Sequence, residues 1–553
     1  MKKFRKMVNV SLILTMLAGC SSSTASSTAN SSSGNSGTVT IATATDVLSW
    51  DSSLATDGAS LTAERMFTSG LMWTGKDGLP ECDLAEDYTV SDDGLVYTFT
   101  IRDDAVWSNG DPVTADDFVY AWKRLIDPDT GSDYNWLLET MNVVGASAYD
   151  PSSGLTVDDL GAKALDEKTF EVTLTKPTGY FLSLLVFPST FPLNQKFVES
   201  LGDKYATSAE NLLACGAYKL TDWKEGESFT FELNEDYWDH DQMVKDNIVN
   251  TVTYRVITDT QTALMEYEAG NMQVVSLSGE QVTANENNEG YTPRLTAYCF
   301  YLSLNINNTE DETLKNENVR KALSYALDRD TIASSLNDGS VAAEGIIPQD
   351  FAYDPDQSGN DFRDDNGALV SYDKDKAVEL YNTACKELGK DSISIDLLYG
   401  TDEGDSVIKA AEQIQAFLEE AGFSVTLNAK PKKERLSLMN DKDYQVALTR
   451  WGPDYADPQT YLDLFSSTTP TYNYGAYENE EYDALLTEAE SGTVSEEVRW
   501  QDFLEAEKIL IEEDMGCVPV YQSGGAMLIS PDITGIVFHQ VGGDDYKHMT
   551  YTK

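Results

Sequence analysis

The histidines that could do acid–base or metal chemistry are few and far apart in this sequence. The three histidines are His240, His539 and His548, and none stands in an HxxxH or HExxH spacing. This spacing argues against a histidine-rich zinc or nickel site. No GxSxG elbow, Walker loop or GxGxxG motif occurs. Paired carboxylates for glycoside chemistry stay open only because 93 acidic residues guarantee chance pairs. The sequence therefore predicts a protein that is not an enzyme and carries no cofactor.

One segment is similar to a calcium loop. Asp354, Asp356 and Ser358 stand at alternate positions, Gly359 follows them, and Asp365 occupies the twelfth position. Two features disagree with such a loop: the eighth position, normally apolar, carries an aspartate, and the twelfth carries Asp where a bidentate Glu is usual. The favoured interpretation is a solvated acidic turn, with calcium binding as the weaker alternative.

The second half of the chain is predicted to alternate strands and helices. Hydrophobic spacing places strands at 392–399, 424–429 and 444–449 and helices at 318–336, 373–388, 406–421, 480–490 and 496–514. Strand–helix–strand order indicates a parallel βαβ lobe, in which ligands collect beyond the carboxyl ends of strands. The segment at that place is RWGPDY, residues 450–455.

The first half is predicted to be mixed α and β with many turns. Strands are expected at 38–43, 97–102, 170–174 and 229–233. A helix is expected at 115–125, because Thr114 can cap its N-terminus and acidic residues fill its first turn. The change of pattern near residue 300 indicates two lobes, with a C-terminal tail that rejoins the first.

The N-terminus has the features of an export signal. Residues 1–7 are basic, and residues 8–19 are apolar but too few to span a bilayer. They end in Leu-Ala-Gly before Cys20, which matches a bacterial lipobox, whose cysteine thiol takes a diacylglycerol. The alternative is an ordinary signal peptide with an incidental cysteine. Residues 21–37 are rich in Ser and Thr and would form a flexible tether of roughly 20–25 Å. We therefore expect an exported protein attached to the membrane through lipid only, on a Gram-positive cell surface.

Composition excludes several partners. A net charge of −54 argues against binding of nucleic acid or of anionic lipid surfaces. A hydrophobic content of 41 % indicates a globular body. Five cysteines besides Cys20 are scattered without a CxxC pair, so isolated thiols are expected and not a disulfide framework. They are Cys82, Cys215, Cys299, Cys385 and Cys517.

Several motifs together resemble the family 5 extracellular solute-binding proteins of ABC importers, the oligopeptide- and dipeptide-binding group. The most specific are YTFTIR at 97–102 and VWSNGDPVTADDFV at 106–119. The others are GAYKL at 216–220, NEDYW at 234–238, AL and EAG within 263–270, NVRKALSYALDR at 318–329, and WGPDY with DP at 451–458. They follow the family order across nearly the whole chain. One departure is Ala-Cys-Gly-Ala-Tyr at 214–218, where Gly-Thr-Gly-Pro-Tyr is usual.

The resemblance implies an α/β, two-lobed "Venus flytrap" with two crossovers between the lobes. Residues 1–19 would be the signal peptide and 20–37 the lipidated cysteine and tether. Residues 38–68, 212–297 and 525–553 would form the main part of lobe I, residues 69–211 an extra subdomain of that lobe, and residues 298–524 lobe II. Ligand would lie between the lobes and be enclosed by hinge motion.

The resemblance also implies how a ligand is held. Peptide-binding members hold an extended peptide through backbone hydrogen bonds, and Asp454 falls on the position that pairs with the peptide α-ammonium. Other residues fall on or near positions that line the cleft: Arg450, Trp451, Gly452, Thr56, Asp57, Gly58, Tyr134 and Tyr301. A turn-capping role is the alternative for Asp454, and core packing is the alternative for Trp451. No basic residue matches the site for a peptide C-terminus, although Lys432, Lys433, Arg435 and Arg450 lie nearby.

The expected function is capture of oligopeptides by a monomer and their delivery to the permease of an ABC importer. Two alternatives stay open. The same fold could bind a short oligosaccharide, a metal chelate or a signalling peptide. A surface interaction protein, such as an adhesin, could also have kept the fold.

Overall fold

The computed structural model describes residues 37–76, 78–307, 311–354, 360–453, 455–468, 472–541 and 543–552. The signal peptide, Cys20 and nearly all of the predicted tether lie outside these residues, as do Asp454, Asp356, Ser358 and Gly359. Within the described part, no helix has the length and apolar character needed to cross a membrane.

The strands of the described residues are short, except for two long ones near residues 300 and 520. In chain order they are β1 (Thr38–Thr43), β2 (Met72–Thr74), β3 (Pro80–Cys82), β4 (Ala85–Val90), β5 (Val96–Ile101), β6 (Ala162–Ala164), β7 (Thr169–Thr173), β8 (Tyr218–Lys224), β9 (Ser228–Leu233), β10 (Thr251–Val256), β11 (Val274–Leu277), β12 (Tyr291–Leu304), β13 (Val341–Ala342), β14 (Ser394–Gly400), β15 (Ser424–Lys430), β16 (Val446–Trp451), β17 (Cys517–Ile529), β18 (Ile533–Thr534) and β19 (Thr550–Tyr551).

The longer helices lie mainly after residue 316. In chain order the helices are α1 (Gly58–Phe67), α2 (Ala115–Ile126), α3 (Leu137–Thr140), α4 (Phe181–Leu184), α5 (Gln195–Leu201), α6 (His240–Lys245), α7 (Thr260–Glu268), α8 (Glu280–Ala284), α9 (Glu317–Ala326), α10 (Arg329–Leu336), α11 (Phe362–Asn366), α12 (Lys374–Leu388), α13 (Asp405–Glu420), α14 (Lys432–Asn440), α15 (Gln459–Leu462), α16 (Glu480–Glu490) and α17 (Glu496–Lys508).

One large mixed sheet carries the architecture. Its order is β15-β14-β16-β12-β17-β11-β1-β10-β9-β8, with β13 paired to β17. The β15, β14 and β16 strands are parallel, as the βαβ pattern predicted. The β1 strand lies parallel to both β10 and β11. Two parallel groups of strands therefore flank the central antiparallel pair β12 and β17.

The β12 and β17 strands are the structural link between the two halves. The last residues of β12 pair with β16, whereas Val274–Leu277 of β11 pairs with the last residues of β17. The β12–β17 ladder is irregular between Leu295 and Cys299. A broken ladder at this place reduces the hydrogen bonding that would stiffen the connection.

A second sheet belongs to a separate core in the first half. Its four strands run in the order β4-β5-β7-β6. Phe99, Trp122 and Phe170 are fully buried beside them. We call the part predicted at residues 69–211, which contains this sheet, the small subdomain. The residue boundaries of the lobes themselves stay a prediction.

Most predicted elements are confirmed within one or two residues. The strand at 38–43 and the helix at 480–490 have the predicted bounds. The helix predicted at 115–125 forms at Ala115–Ile126, with Thr114 and Asp117 in a capping box. Local capping and periodicity were sufficient to locate these elements.

Two helix predictions were too long. Residues 318–336 form two helices, because the Asp328 side chain accepts a hydrogen bond from Thr331 N at 3.0 Å and starts α10 anew. Arg329 Nη1 donates to the carbonyls of Ser324 and Leu327 at the end of α9. The helix predicted at 496–514 is α-helical only to Lys508 and continues as a π-helix over Ile509–Glu513.

The five cysteines of the described part are all unpaired thiols. Cys82 is exposed, Cys385 is half-buried, and Cys215, Cys299 and Cys517 are buried. Burial raises the pKa of the Cys299 thiol to about 12, so it stays protonated at neutral pH.

Candidate ligand-binding cleft

A cavity of about 440 Å³ lies where the two halves meet. Its wall includes Lys76 and Ser183 of the small subdomain, Arg294 of β12, Phe351 of the second half, and His539 of the C-terminal tail. This volume falls within the range of small-ligand sites, about 300–1,000 Å³. Residues distant in sequence thus converge on one space between the lobes.

Arg294 and His539 of the cavity wall both have charged neighbours. Arg294 Nη1 donates to Asp544 Oδ2 at 2.8 Å, and Nη2 contacts Oδ1 of the same carboxylate. Burial raises the pKa of Asp544, although the Arg294 guanidinium opposes that shift. Burial, helped by the nearby Arg65, lowers the pKa of His539 to about 4, so its imidazole is neutral at pH 7.

A buried cluster of charged and aromatic side chains lies next to this wall. Trp73 Nε1 donates to Asp545 Oδ2 at 3.1 Å. The Arg65 guanidinium lies 4.1 Å and the Lys547 ammonium 4.0 Å from the Trp73 ring centroid. Lys547 also pairs with Asp83 at 3.5 Å. Sequence reasoning missed this cluster, because its members are isolated residues from both ends of the chain and form no motif.

The segment that the WGPDY motif occupies runs beside the cavity. We call residues 451–457 the cleft loop; Asp454 within it lies outside the described residues. Trp451 is half-buried, donates from Nε1 to Thr460 Oγ1 at 3.1 Å, and has its ring 5.2 Å from that of Tyr472. Ala456 lines the cavity. The cleft loop therefore contributes directly to the wall.

Two neighbours of the loop explain parts of its sequence. A Cβ at Gly452 would come within 1.9 Å of the Tyr298 ring, so only glycine fits there without movement of the ring. Arg450 stacks its guanidinium 4.6 Å from the centroid of the same Tyr298 ring. Tyr298 as a whole is 43 % exposed, so the residue is also accessible to solvent.

The end of the cleft loop is fixed on both sides. Tyr455 is buried in the core of the small subdomain and stacks on Tyr180, with 4.5 Å between the ring centroids. Asp457 accepts two hydrogen bonds from Arg499, at 2.8 and 2.9 Å. Sequence reasoning recognised the motif but missed these contacts with Tyr180 and Arg499.

Of the predicted site residues that the structure describes, none is among the residues that line the cavity, and several lie in other parts of the fold. Thr56, Asp57 and Gly58 begin α1, where the Asp57 carboxylate accepts from Ala59 N and Ser60 N at 3.1 and 3.0 Å. This is an N-cap role and leaves Thr56 and Gly58 exposed.

The two tyrosines predicted near the cleft contact cores. Tyr134 packs against Phe187 in the small subdomain, with ring centroids 4.9 Å apart. Tyr301 is only 3 % exposed and packs on Phe465 in the second half. In this arrangement both rings contribute to packing rather than to the cavity wall.

In the segment that is similar to a calcium loop, the last residue, Asp365, accepts hydrogen bonds from other side chains. Asp365 Oδ2 accepts from Trp500 Nε1 at 3.0 Å, and Oδ1 accepts from Asn360 Nδ2 at 3.1 Å. Asp354 is buried. Across the described residues, no group of three or more His, Cys, Asp or Glu side chains is placed to hold a metal ion.

Comparison with known proteins gives the same family as the motifs in the sequence. The family model described as "Bacterial extracellular solute-binding proteins, family 5 Middle" matches residues 80–473. The chain belongs to this family. A dipeptide-binding protein of Lactococcus lactis subsp. cremoris is 32 % identical over 90 % of this chain and 91 % of its own length. The resemblance read from the sequence is thus confirmed, and with it a family of solute-binding proteins and not of enzymes.

Solved structures confirm the two-lobed α/β fold. OppA of Listeria monocytogenes bound to peptide is 33 % identical, covers 93 % of this chain and 99 % of its own, and has a TM-score of 0.68. The unliganded open form of MppA, a periplasmic murein tripeptide-binding protein, is 26 % identical over 93 % of this chain and 97 % of its own. Its TM-score is higher, at 0.81.

Proposed function

We propose that this protein captures oligopeptides between its two lobes, pairs the peptide amine with Asp454, and delivers them to the permease of an ABC importer. A diacylglycerol on Cys20 would keep it at the outer face of the membrane. The observation that carries the proposal is the position of the cleft loop. Trp451 and Tyr455 are packed on opposite halves, and Ala456 lines the cavity between them.

The chemistry of this place suits a peptide amine. Asp454 is joined through one residue to Ala456 of the cavity wall. A desolvated ammonium is costly unless a carboxylate and further acceptors surround it. The names of the dipeptide- and oligopeptide-binding relatives support this ligand class. Backbone recognition of an extended peptide would also tolerate different side chains, with water in their pockets.

Isothermal titration calorimetry tests the amine pairing. The ligands are an alanine series of two to six residues and the same peptides with an acetylated N-terminus. The wild-type protein should bind the free peptides much more tightly, because acetylation removes the charge that Asp454 would pair.

Asp454→Ala should weaken binding of the free peptide by about 3–5 kcal/mol, the loss for breaking a buried pair. Asp443→Ala is the matched control, since this aspartate is exposed on the second half, and its affinity should equal that of the wild type. Equal affinity of the wild type for free and acetylated peptides, or a loss below about 1 kcal/mol for Asp454→Ala, would exclude the amine pairing.

The lipid attachment has an independent readout. Cells that express the protein should incorporate a labelled fatty acid into it, and Cys20→Ala should abolish that incorporation. Equal labelling of both forms would mean that Cys20 is not the lipidated residue.

A further inference from the structure

One arginine beside the cleft loop has no partner for its charge. In the described ranges, every other arginine donates at least one hydrogen bond from its guanidinium. The Arg450 guanidinium forms neither a hydrogen bond nor an ion pair with the part of the chain that the structure describes. The sequence carries 93 acidic against 39 basic residues, yet none of the described acids pairs with this one. Its charge is therefore available to a partner from outside the chain.

Aromatic rings hold the guanidinium instead. Its central carbon lies 4.6 Å from the ring centroid of Tyr298 and 5.5 Å from that of Phe300. Phe300 is the neighbour of Arg450 across the β12–β16 ladder, and it stacks in turn on Tyr521 with 4.3 Å between centroids. Such contacts use the face of the planar guanidinium and leave the N–H groups at its edge available for a carboxylate. Because the side chain is already half-buried, it loses less freedom when an anion binds.

The carboxylates near Arg450 have other partners. Burial and the charges of Asp338 and Glu403 raise the pKa of Tyr521, whereas Arg450 lowers it, so all three charges lie near the Tyr521 hydroxyl. Glu403 pairs with Arg435 at 3.0 Å. The Asp338 carboxylate accepts hydrogen bonds from a serine hydroxyl and from a backbone N–H. These two acids therefore weaken the positive potential at Arg450 without occupying its N–H groups.

Arg450 lies where a ligand of the cleft can reach it. It is the last residue but one of β16, at the carboxyl end of the parallel strands β14 and β16, where ligands collect in such sheets. The cleft loop follows directly, and a Cβ at its Gly452 would meet the Tyr298 ring. Leu295, three residues before Tyr298 on β12, lines the cavity. Three residues of chain span at most about 11 Å, so an extended peptide of a few residues is long enough to join the cavity and Arg450.

We infer that Arg450 binds a carboxylate of the captured peptide through the N–H edge that the aromatic rings leave free. The inference rests on the proposed function, which supplies the peptide. The carboxylate can belong to the C-terminus or to an Asp or Glu side chain, since both offer two oxygens to a guanidinium. The ligand class then narrows from oligopeptides in general to those that carry a carboxylate within reach of Arg450.

Isothermal titration calorimetry with matched peptides tests the inference. The reference ligand is the alanine peptide of two to six residues that the wild type binds best, prepared as its C-terminal amide. It is compared with the same peptide bearing a free C-terminus, and with amides that carry one glutamate at each position in turn. At least one of these carboxylates should raise the wild-type affinity about ten- to hundredfold, the effect of hydrogen bonds to a charged group. The peptide that gains affinity identifies the source of the carboxylate.

The readout for variants is the affinity of the best carboxylate peptide divided by that of the reference amide. Arg450→Gln should bring this ratio close to one. Lys433→Gln is the matched control, because Lys433 is exposed in the same half and forms no ion pair among the described residues. It removes one positive charge and leaves the stacked guanidinium in place, so the ratio should keep its wild-type value. Arg450→Lys keeps the charge but loses the planar fork, so it should retain only part of the ratio. It replaces Arg450→Gln if that variant does not fold.

Three results would overturn the inference. The first is a wild type that binds the reference amide as tightly as every carboxylate peptide. The second is a ratio that stays unchanged in Arg450→Gln, or in Arg450→Lys where that variant stands in. The third is an equal fall of the ratio in Lys433→Gln, which would show a general effect of charge and not a pairing at Arg450. A protein that binds none of the alanine peptides, amide or acid, would refute the proposed function as well, so the two failures are distinguishable.

Discussion

The ion pair between Asp457 and Arg499 offers the sharpest test of how the cleft loop is held. Arg499 Nη1 donates to Asp457 Oδ2 at 2.8 Å and Nη2 donates to Oδ1 at 2.9 Å. Each side chain is only 10 % exposed. Arg499 Nη2 also lies 3.2 Å from Gln459 Oε1. A bidentate pair so far from water has strong mutual attraction, and either partner alone would be poorly solvated.

Asp457→Asn removes the negative charge and leaves the Arg499 guanidinium buried beside a neutral amide. Loss of one partner of a buried pair costs about 3–5 kcal/mol. At about 2–4 °C per kcal/mol for a unit of roughly 150–250 residues, the midpoint of thermal unfolding should fall by roughly 6–20 °C. Adding Arg499→Gln should recover part of this loss, because the unpaired charge is then gone.

Differential scanning calorimetry measures both variants, and a surface pair provides the control. Lys123 and Asp158 are as close, at 2.7 Å, but their side chains are 32 % and 83 % exposed. Asp158→Asn should therefore cost less than about 1 kcal/mol. The reasoning would be refuted if Asp457→Asn lowered the midpoint no more than Asp158→Asn does, or if the double variant were less stable than Asp457→Asn alone.

Two further predictions concern the strand link and the cavity wall. Gly524→Ala should destabilise the protein by about 1–3 kcal/mol, because the new Cβ would lie 1.9 Å from Gly339 O. Gly525→Ala is the control, since a Cβ there meets nothing within 4 Å. Equal midpoints of urea unfolding for the two variants would contradict this prediction. The folded-state pKa of His539 is about 4, below its ordinary 6.5, so the unfolded chain binds more protons and stability falls as pH decreases from about 6.5 through 4. His539→Gln should lose less thermal stability than the wild type over that pH range in calorimetry, and parallel losses would exclude the role of His539.

The sequence predicted correctly those helix and strand ends that are determined by interactions between residues close together in the chain. The capping box of Thr114 and Asp117 is complete within four residues, so the start of α2 could be read directly. The break after Ala326 could not, because apolar residues continue at helical spacing on both sides of it. The Arg329 side chain satisfies the carbonyls at the end of α9. The spacing of apolar residues indicates which face of a helix is buried. It does not indicate where a side chain such as Arg329 ends the helix by bonding to its last carbonyl groups.

For the candidate cleft, too, the sequence predicted one part and missed another. The WGPDY motif identified the loop beside the cavity, because a polar segment after a parallel strand is where ligands collect. The contacts that hold this loop could not be found from the sequence, since Tyr180 and Arg499 belong to no motif and Tyr180 is distant from the loop in the chain. The net charge of the chain did not predict the charges of the cavity wall either. Although the net charge is −54, the wall contains Arg294, which is paired with Asp544.

Trp451 and Tyr455 show why a residue's type alone leaves wall and core undecided. Both are large aromatic residues of one short motif, and both could be read as packing or as ligand contact. Trp451 stays half-buried against the core of the second half, whereas Tyr455 is buried against Tyr180. The difference comes from Tyr180 of the small subdomain, which covers the Tyr455 ring, whereas the Trp451 ring stays partly accessible. The packing of the cleft loop is therefore determined by the small subdomain as much as by the motif.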